Sequence, residues 1–169
     1  MDADSRQGDE QATVPLRVQR LAHVELARTI DALGDLSWLG RLTDGVPAHP
    51  EFRRVVADLE LPILDGSSPG PLRKATLIDV GLASRVGDHV LVDIAWQSAS
   101  LAPLFPVFAG QLLVSEGEVV LDGRYAPPLG SIGLLLDQAL LRFVARRTAS
   151  ALLDRLAREF EGSGGATGG

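Results

Sequence analysis

Apolar and polar residues alternate over several stretches of this chain. Val14, Leu16 and Val18 alternate with Pro15, Arg17 and Gln19. Ile78, Val80 and Leu82 alternate, and so do Val90, Val92, Ile94 and Trp96. A period of two sends every second side chain to the same sheet face, so each stretch predicts a half-buried strand. For the pair around Val86-Gly87-Asp88, both apolar sets share a face only if paired residue numbers sum to an even value. That favours a turn of odd length with Gly87 inside it.

The next hairpin is sharper. A two-residue turn at Glu116-Gly117 pairs Val114 with Val119, Leu112 with Leu121, Gly110 with Gly123 and Phe108 with Tyr125. All four pairs fall on one face. Gln111 opposite Asp122 and Ala109 opposite Arg124 fall on the other.

Helical spacing takes over elsewhere. From about Ala27 to Leu42 it predicts one or two short helices broken near Gly34, with Trp38, Leu39 and Leu42 as the apolar face of the second. Phe52, Val55, Val56 and Leu59 sit at i, i+3, i+4 and i+7, and Pro50-Glu51 suits a helix start. This predicts a helix over 50–60, although Val55, Ala57, Leu59 and Leu61 also alternate as a strand would. Residues 65–71 read as a loop. After Ala126-Pro127-Pro128 a long helix is predicted from about Ser131 to Glu161, roughly 45 Å at 1.5 Å per residue. Ile132, Leu135, Ala139, Phe143, Leu153, Leu156, Ala157 and Phe160 cluster on one side of it.

Composition narrows the possibilities. The chain has 169 residues, room for one domain, and 46% of them are hydrophobic against 22% charged. Residues 1–12 (MDADSRQGDEQA) and 162–169 (GSGGATGG) cannot bury enough apolar area to offset their ordering entropy and are expected to be disordered tails around a folded domain at 13–161. A net charge of −6 argues against non-specific nucleic-acid binding. The absence of cysteine excludes disulfides, thiolate metal sites and thiol nucleophiles. Lysine is limited to Lys74 among 16 cations, which suggests GC-rich bacterial DNA. The longest uncharged stretch, Ile94 to Ser115, carries two prolines and alternates, so it is a poor membrane span. With an acidic start unlike a secretory signal, the chain is expected to be cytoplasmic.

The order of one strand, short helices, antiparallel hairpins and a long terminal helix resembles the START-type, polyketide-cyclase-like superfamily (SRPBCC), in bacterial members of unknown function. The stretch Leu101 to Arg147 carries most of that likeness, with its last two strands running through a Pro-rich link into the helix. The resemblance implies an α+β helix-grip fold: a curved antiparallel sheet wrapped around a long C-terminal helix, with a cavity between them.

On that fold the ligand-binding set would be Trp96, Phe108, Gly110, Leu112, Leu121, Gly123 and Tyr125 from the sheet. Leu135, Ala139, Phe143 and Arg146 would join them from the helix. Gly110 opposite Gly123 removes two side chains from the middle of the inner face. This either makes room for a ligand or lets the sheet bend. Arg146 sits by helical phase near the centre of the apolar stripe, with Arg142 one turn earlier, and would either anchor a ligand anion or reach out to water. Asp79 and Asp93 share the opposite face and read as solvated carboxylates. His23, His49 and His89 are scattered without metal-ligand spacing, there is no nucleophile elbow, and no dinucleotide fingerprint is present. No catalytic residue, cofactor or metal is therefore assigned. The partner expected is a small hydrophobic molecule, lipid-like or polycyclic. A cyclase- or hydrolase-like enzyme using Tyr125, His23 or Arg146 is the first alternative, and an interaction protein with a filled core is the second. The oligomeric state stays open.

Overall fold

A computed structural model describes residues 13–43, 47, 50–61, 72–99, 107–126 and 138–161. The two expected tails, the loop at 65–71, His49, Leu135 and the expected helix start at Ser131 all lie outside them. The elements in chain order are β1 (Val14–Leu21), α1 (Leu26–Gly34), a single 3-10 turn (Leu36–Trp38), β2 (Arg41–Leu42), β3 (Arg53–Leu61), β4 (Leu72–Val80), β5 (Ser84–Val86), β6 (His89–Ser98), β7 (Val107–Val114), β8 (Glu118–Ala126) and α2 (Gln138–Phe160). The strands form one antiparallel sheet in the order β1-β8-β7-β6-β4-β3-β2, with β5 on β6.

The β7–β8 hairpin has the expected register. Val114 faces Val119, Leu112 faces Leu121, Gly110 faces Gly123 and Phe108 faces Tyr125. Ser115 N–H donates to Glu118 O at 2.9 Å and closes the turn. β1 then lies along the far side of β8, with Val14 opposite Tyr125 and Leu21 opposite Glu118.

The other hairpin turns differently from expectation. Ile78 faces Trp96 and Val80 faces Ile94, an even sum, so the core-facing parity is as expected. Beyond Gly81 the sum becomes odd, with Ser84 opposite Leu91 and Val86 opposite His89. The extra residue is absorbed at 81–83, where Gly81 N–H donates to Asp93 O at 2.8 Å. Such a bulge inserts one unpaired residue into a ladder. The turn itself is therefore two residues long, Gly87-Asp88, and Gly87 takes the left-handed φ of 63° that a residue with a Cβ adopts only under strain.

Residues 50–60 are the main correction. They are not a helix: Arg53–Leu61 is β3, paired along its whole length with β4. Val55 and Ala57 are buried against the core, opposite Ile78 and Thr76. The helical stripe and the strand alternation share Val55 and Leu59, and pairing with β4 decides between them.

α2 packs against β1, β8, β3 and α1. Contact with strands from near both ends of the sheet order requires the sheet to curl around the helix. Ala145, Thr148, Ala149, Leu152, Leu153, Leu156, Ala157 and Phe160 form its buried stripe. Their spacing of three and four residues keeps them on one face. Across the sheet they meet a core that includes Val55, Ile78, Ile94, Phe108, Leu112 and Leu121.

The connection after α1 is fixed by polar contacts. Arg53 Nη1 donates to Gly34 O at 2.6 Å, and its Nη2 donates to Leu33 O, so two terminal carbonyls of α1 are satisfied. Trp38 Nε1 donates to Ala32 O at 2.7 Å, and its ring meets Phe160 edge-on at 6.2 Å. Asp35 Oδ1 accepts from Ser37 N–H at 3.0 Å and caps the 3-10 turn. The backbone and side-chain hydrogen bonds from Ser37, with the Arg53 charge behind them, hold the Asp35 carboxyl below its ordinary value of 3.8. A depressed folded value means the contribution is present above the unfolded pKa and is lost as pH falls through the folded one. An NMR titration of Asp35 is expected to show a midpoint below that of an aspartate in a short peptide. Ser37→Pro, which removes the donating N–H, should raise it.

Candidate functional site

The sheet half of the expected ligand set comes together. Trp96 and Phe108 lie on neighbouring strands and stack with ring centroids 4.0 Å apart at 16°. Phe108, Leu112 and Leu121 are fully buried, and Tyr125 is 2% exposed. Gly110 and Gly123 explain how the ring fits. A Cβ at Gly110 would lie 2.8 Å from Phe108 Cζ, and one at Gly123 would lie 2.7 Å from the same atom. The tip of Phe108 occupies the space that two side chains would otherwise take. The glycines are thus a flat seat for an aromatic ring.

Two buried polar atoms of the core, Trp96 Nε1 on β6 and Thr148 Oγ1 on α2, have no hydrogen-bond partner among the described residues. Trp96 is 2% exposed and Thr148 fully buried. An indole N–H can only donate, and leaving such a group unpaired in an apolar interior costs about 1–3 kcal/mol.

The helix half of the set is differently placed. Phe143 is 46% exposed, and the Arg147 guanidinium lies 5.6 Å from its ring centroid. Arg146 and Arg142 are exposed. Ala139 belongs to α2, but its side chain is outside the described residues, as is Leu135 altogether.

On the outer face, the reading of Asp79 as a solvated carboxylate is overturned. Asp79 is 4% exposed, and it accepts from Arg54 twice, Nε to Oδ1 at 2.6 Å and Nη2 to Oδ2 at 2.7 Å. Arg54 sits directly opposite it on β3. The bond to Asp79 raises the guanidinium pKa further above its ordinary value. Asp93 is exposed and accepts from Gln111 Nε2 at 3.0 Å. His23 is exposed, and its backbone N–H donates to Glu161 Oε1 at 3.3 Å, while His89 Nε2 is 3.4 Å from Asp88 Oδ1. Among the described residues no group of three His, Asp or Glu could hold a metal ion. No helix among them is long and apolar enough to cross a membrane.

A second feature was not visible in the sequence. A cleft of about 780 Å³ opens between the sheet edge and the C-terminal half of α2. Leu39, Gly40 and Arg41 line it on one side, Val56, Ala57 and Asp58 form its base, and Ala151, Asp154, Arg155 and Arg158 form the helix wall. Asp154 is paired with Arg20 at 2.9 Å. Arg155 Nη2 donates to Trp38 O at 2.7 Å, and Arg158 Nε to Asp154 O at 3.1 Å. What makes this helix face a wall is β3, which the helical reading of 50–60 had removed.

No protein-family model matches the chain, and no curated protein matches it. Among solved structures it is similar to TTHA0849 from Thermus thermophilus, with 16% identity and a TM-score of 0.42 over 85% of this chain and 97% of that one. It is also similar to DynU16, a protein of the dynemicin biosynthetic locus, with 17% identity and a TM-score of 0.30 over 85% of this chain. The match takes in 49% of DynU16, about half its length. These are partial likenesses of shape, and no residue role passes through them.

Proposed function

We propose that this chain binds a small, mostly apolar molecule between its sheet and its C-terminal helix, as a non-enzymatic protein of the START-type, helix-grip kind. The supporting observation is that two buried polar atoms of the core, Trp96 Nε1 on β6 and Thr148 Oγ1 on α2, have no hydrogen-bond partner among the described residues. Buried polar groups are normally hydrogen-bonded, so each exception asks for a partner that none of the described residues supplies. A ligand oxygen or a trapped water answers that need. The apolar surroundings, with Phe108, Leu112, Leu121 and Tyr125 alongside, favour a ligand that is largely hydrocarbon with one or two oxygens. Phe143 and Arg146 of the expected set are exposed and stand outside this proposed lining. The enzymatic alternative rests on Tyr125, because His23 and Arg146 are exposed.

Two measurements test this reading. Freshly purified protein is expected to show an extra mass by native mass spectrometry. Titration with the neutral ketone probe 6-propionyl-2-dimethylaminonaphthalene, whose carbonyl oxygen can accept, is expected to move the Trp96 indole N–H resonance. Trp96→Phe and Thr148→Val should each weaken probe binding by about tenfold, equivalent to the loss of about 1.4 kcal/mol. A bare-chain mass together with an unmoved indole signal would remove the proposal.

A further inference from the structure

β3 is nine residues long, yet its outer neighbour β2 covers only Val55 and Val56. Main-chain groups of a strand point alternately to its two edges. Thr43 N–H donates to Arg54 O, so the even-numbered residues of β3 point to the β2 side. Asp58 and Glu60 therefore direct their backbone N–H and C=O to that edge, beyond the point where Gly40 and Leu39 turn off into the 3-10 turn. Among the described residues nothing pairs with them there. The cleft lies at this place. Its base is Val56, Ala57 and Asp58, three consecutive residues of one strand. Consecutive residues point to opposite faces, so what they show together to the cleft is the edge of the strand.

We propose that the cleft receives an extended acidic peptide segment, which adds a strand to the edge of β3 that no described residue pairs with and sets its carboxylates against Arg41 and Arg158. Main-chain hydrogen bonding at an open sheet edge supplies the affinity of such additions, and the flanking wall supplies the choice of side chains. Here Arg41, Arg155 and Arg158 face Asp58 and Asp154, and Asp154 is already held by Arg20. The remaining charge in the cleft is positive. Arg155 is fixed by Trp38 O and Arg158 Nε by Asp154 O, so one nitrogen of each guanidinium is held by backbone. A second copy of this chain is the poorer occupant. Its own β3 edge lies equally recessed between the 3-10 turn and α2, so two such edges cannot reach each other. A single extended segment can.

The test uses the whole chain and three fluorescein-labelled decapeptides. One alternates Glu and Val, one alternates Lys and Val, and the third is the acidic peptide N-methylated throughout, so that it cannot donate to a ladder. By fluorescence anisotropy the acidic peptide is expected to bind at least about tenfold more tightly than the other two. Arg41→Glu/Arg158→Glu, at two exposed positions that leave the core untouched, should reverse the order of the acidic and basic peptides. Amide exchange gives an independent readout. The Asp58 amide is expected to exchange freely in the unbound protein and to slow when the acidic peptide is added. A protected Asp58 amide in the unbound protein, equal affinity for the acidic and basic peptides, or binding of neither overturns the proposal.

Discussion

Asp79→Ala is expected to cost the fold about 3–5 kcal/mol, lowering Tm by roughly 6–20 °C. The reason is the state in which it leaves Arg54. That side chain is 12% exposed, and it directs two of its nitrogens at the Asp79 carboxylate. Both charges have been taken out of water, and each compensates the desolvation of the other. Removing the carboxylate takes from the buried guanidinium the countercharge and the two charge-assisted hydrogen bonds that Asp79 supplies. The pair itself contributes much less than this loss suggests. Replacing both partners with leucine, Arg54→Leu/Asp79→Leu, is expected to restore most of the lost stability, because two apolar side chains face each other across the same ladder position. Urea denaturation of the two single variants and the double would separate the coupling from the burial. A single variant that melts within about 2 °C of the parent would mean that the pair is effectively solvated.

Phe108→Ala should be comparably damaging, at about 3–5 kcal/mol. It empties a fully buried position and exposes one face of the Trp96 ring, which loses a stacking partner at 4.0 Å. Its coupling to the glycine pair is more informative. Gly110→Ala should destabilise the parent by about 1–3 kcal/mol, since the new methyl meets Phe108 Cζ, the Asp122 carbonyl and Gly123 Cα, the last at 2.6 Å. With Phe108 truncated, the ring contact is relieved but the two backbone contacts remain. Gly110→Ala should therefore cost less on the Phe108→Ala background than alone, and still cost something. If the two losses simply add, the ring does not rest on the glycines. If the cost vanishes, β8 yields readily at Gly123.

Much of this arrangement was legible because parity is strict in a sheet. Once a two-residue turn was placed at Glu116-Gly117, Phe108 had to face Tyr125 and Gly110 had to face Gly123. Trp96 joined them through the alternation of β6. The parts that were hidden depend on partners distant in sequence. Phe52, Val55, Val56 and Leu59 satisfy a helical period as well as most helices do, and only β4, more than ten residues further on, makes that segment a strand. The one misreading had two effects. It left Asp79 without its cross-strand partner Arg54, so the carboxylate was read as solvated, and it concealed the cleft whose base is Val56, Ala57 and Asp58. The bulge at 81–83 was missed for a related reason: an odd loop and a bulge followed by a tight turn preserve the same core-facing parity. At the start of α2 the hydrophobic phase includes Phe143 and comes near Arg146, yet both are exposed, because phase says which way a residue points and not whether anything lies there.

The sheet order joins the first strand to the last, since β1 hydrogen-bonds to β8 and both touch α2. During synthesis β1 must therefore wait, unpaired, while about a hundred residues are added, roughly 5–20 s at ordinary translation rates. Closing so long a loop is entropically expensive and slows folding. Pro15, Arg17 and Arg20 in that waiting strand are the kinds of residue that discourage a stray ladder. Premature termination anywhere before α2 should thus yield an aggregating fragment, and the nascent chain would reach protease resistance in a single late step.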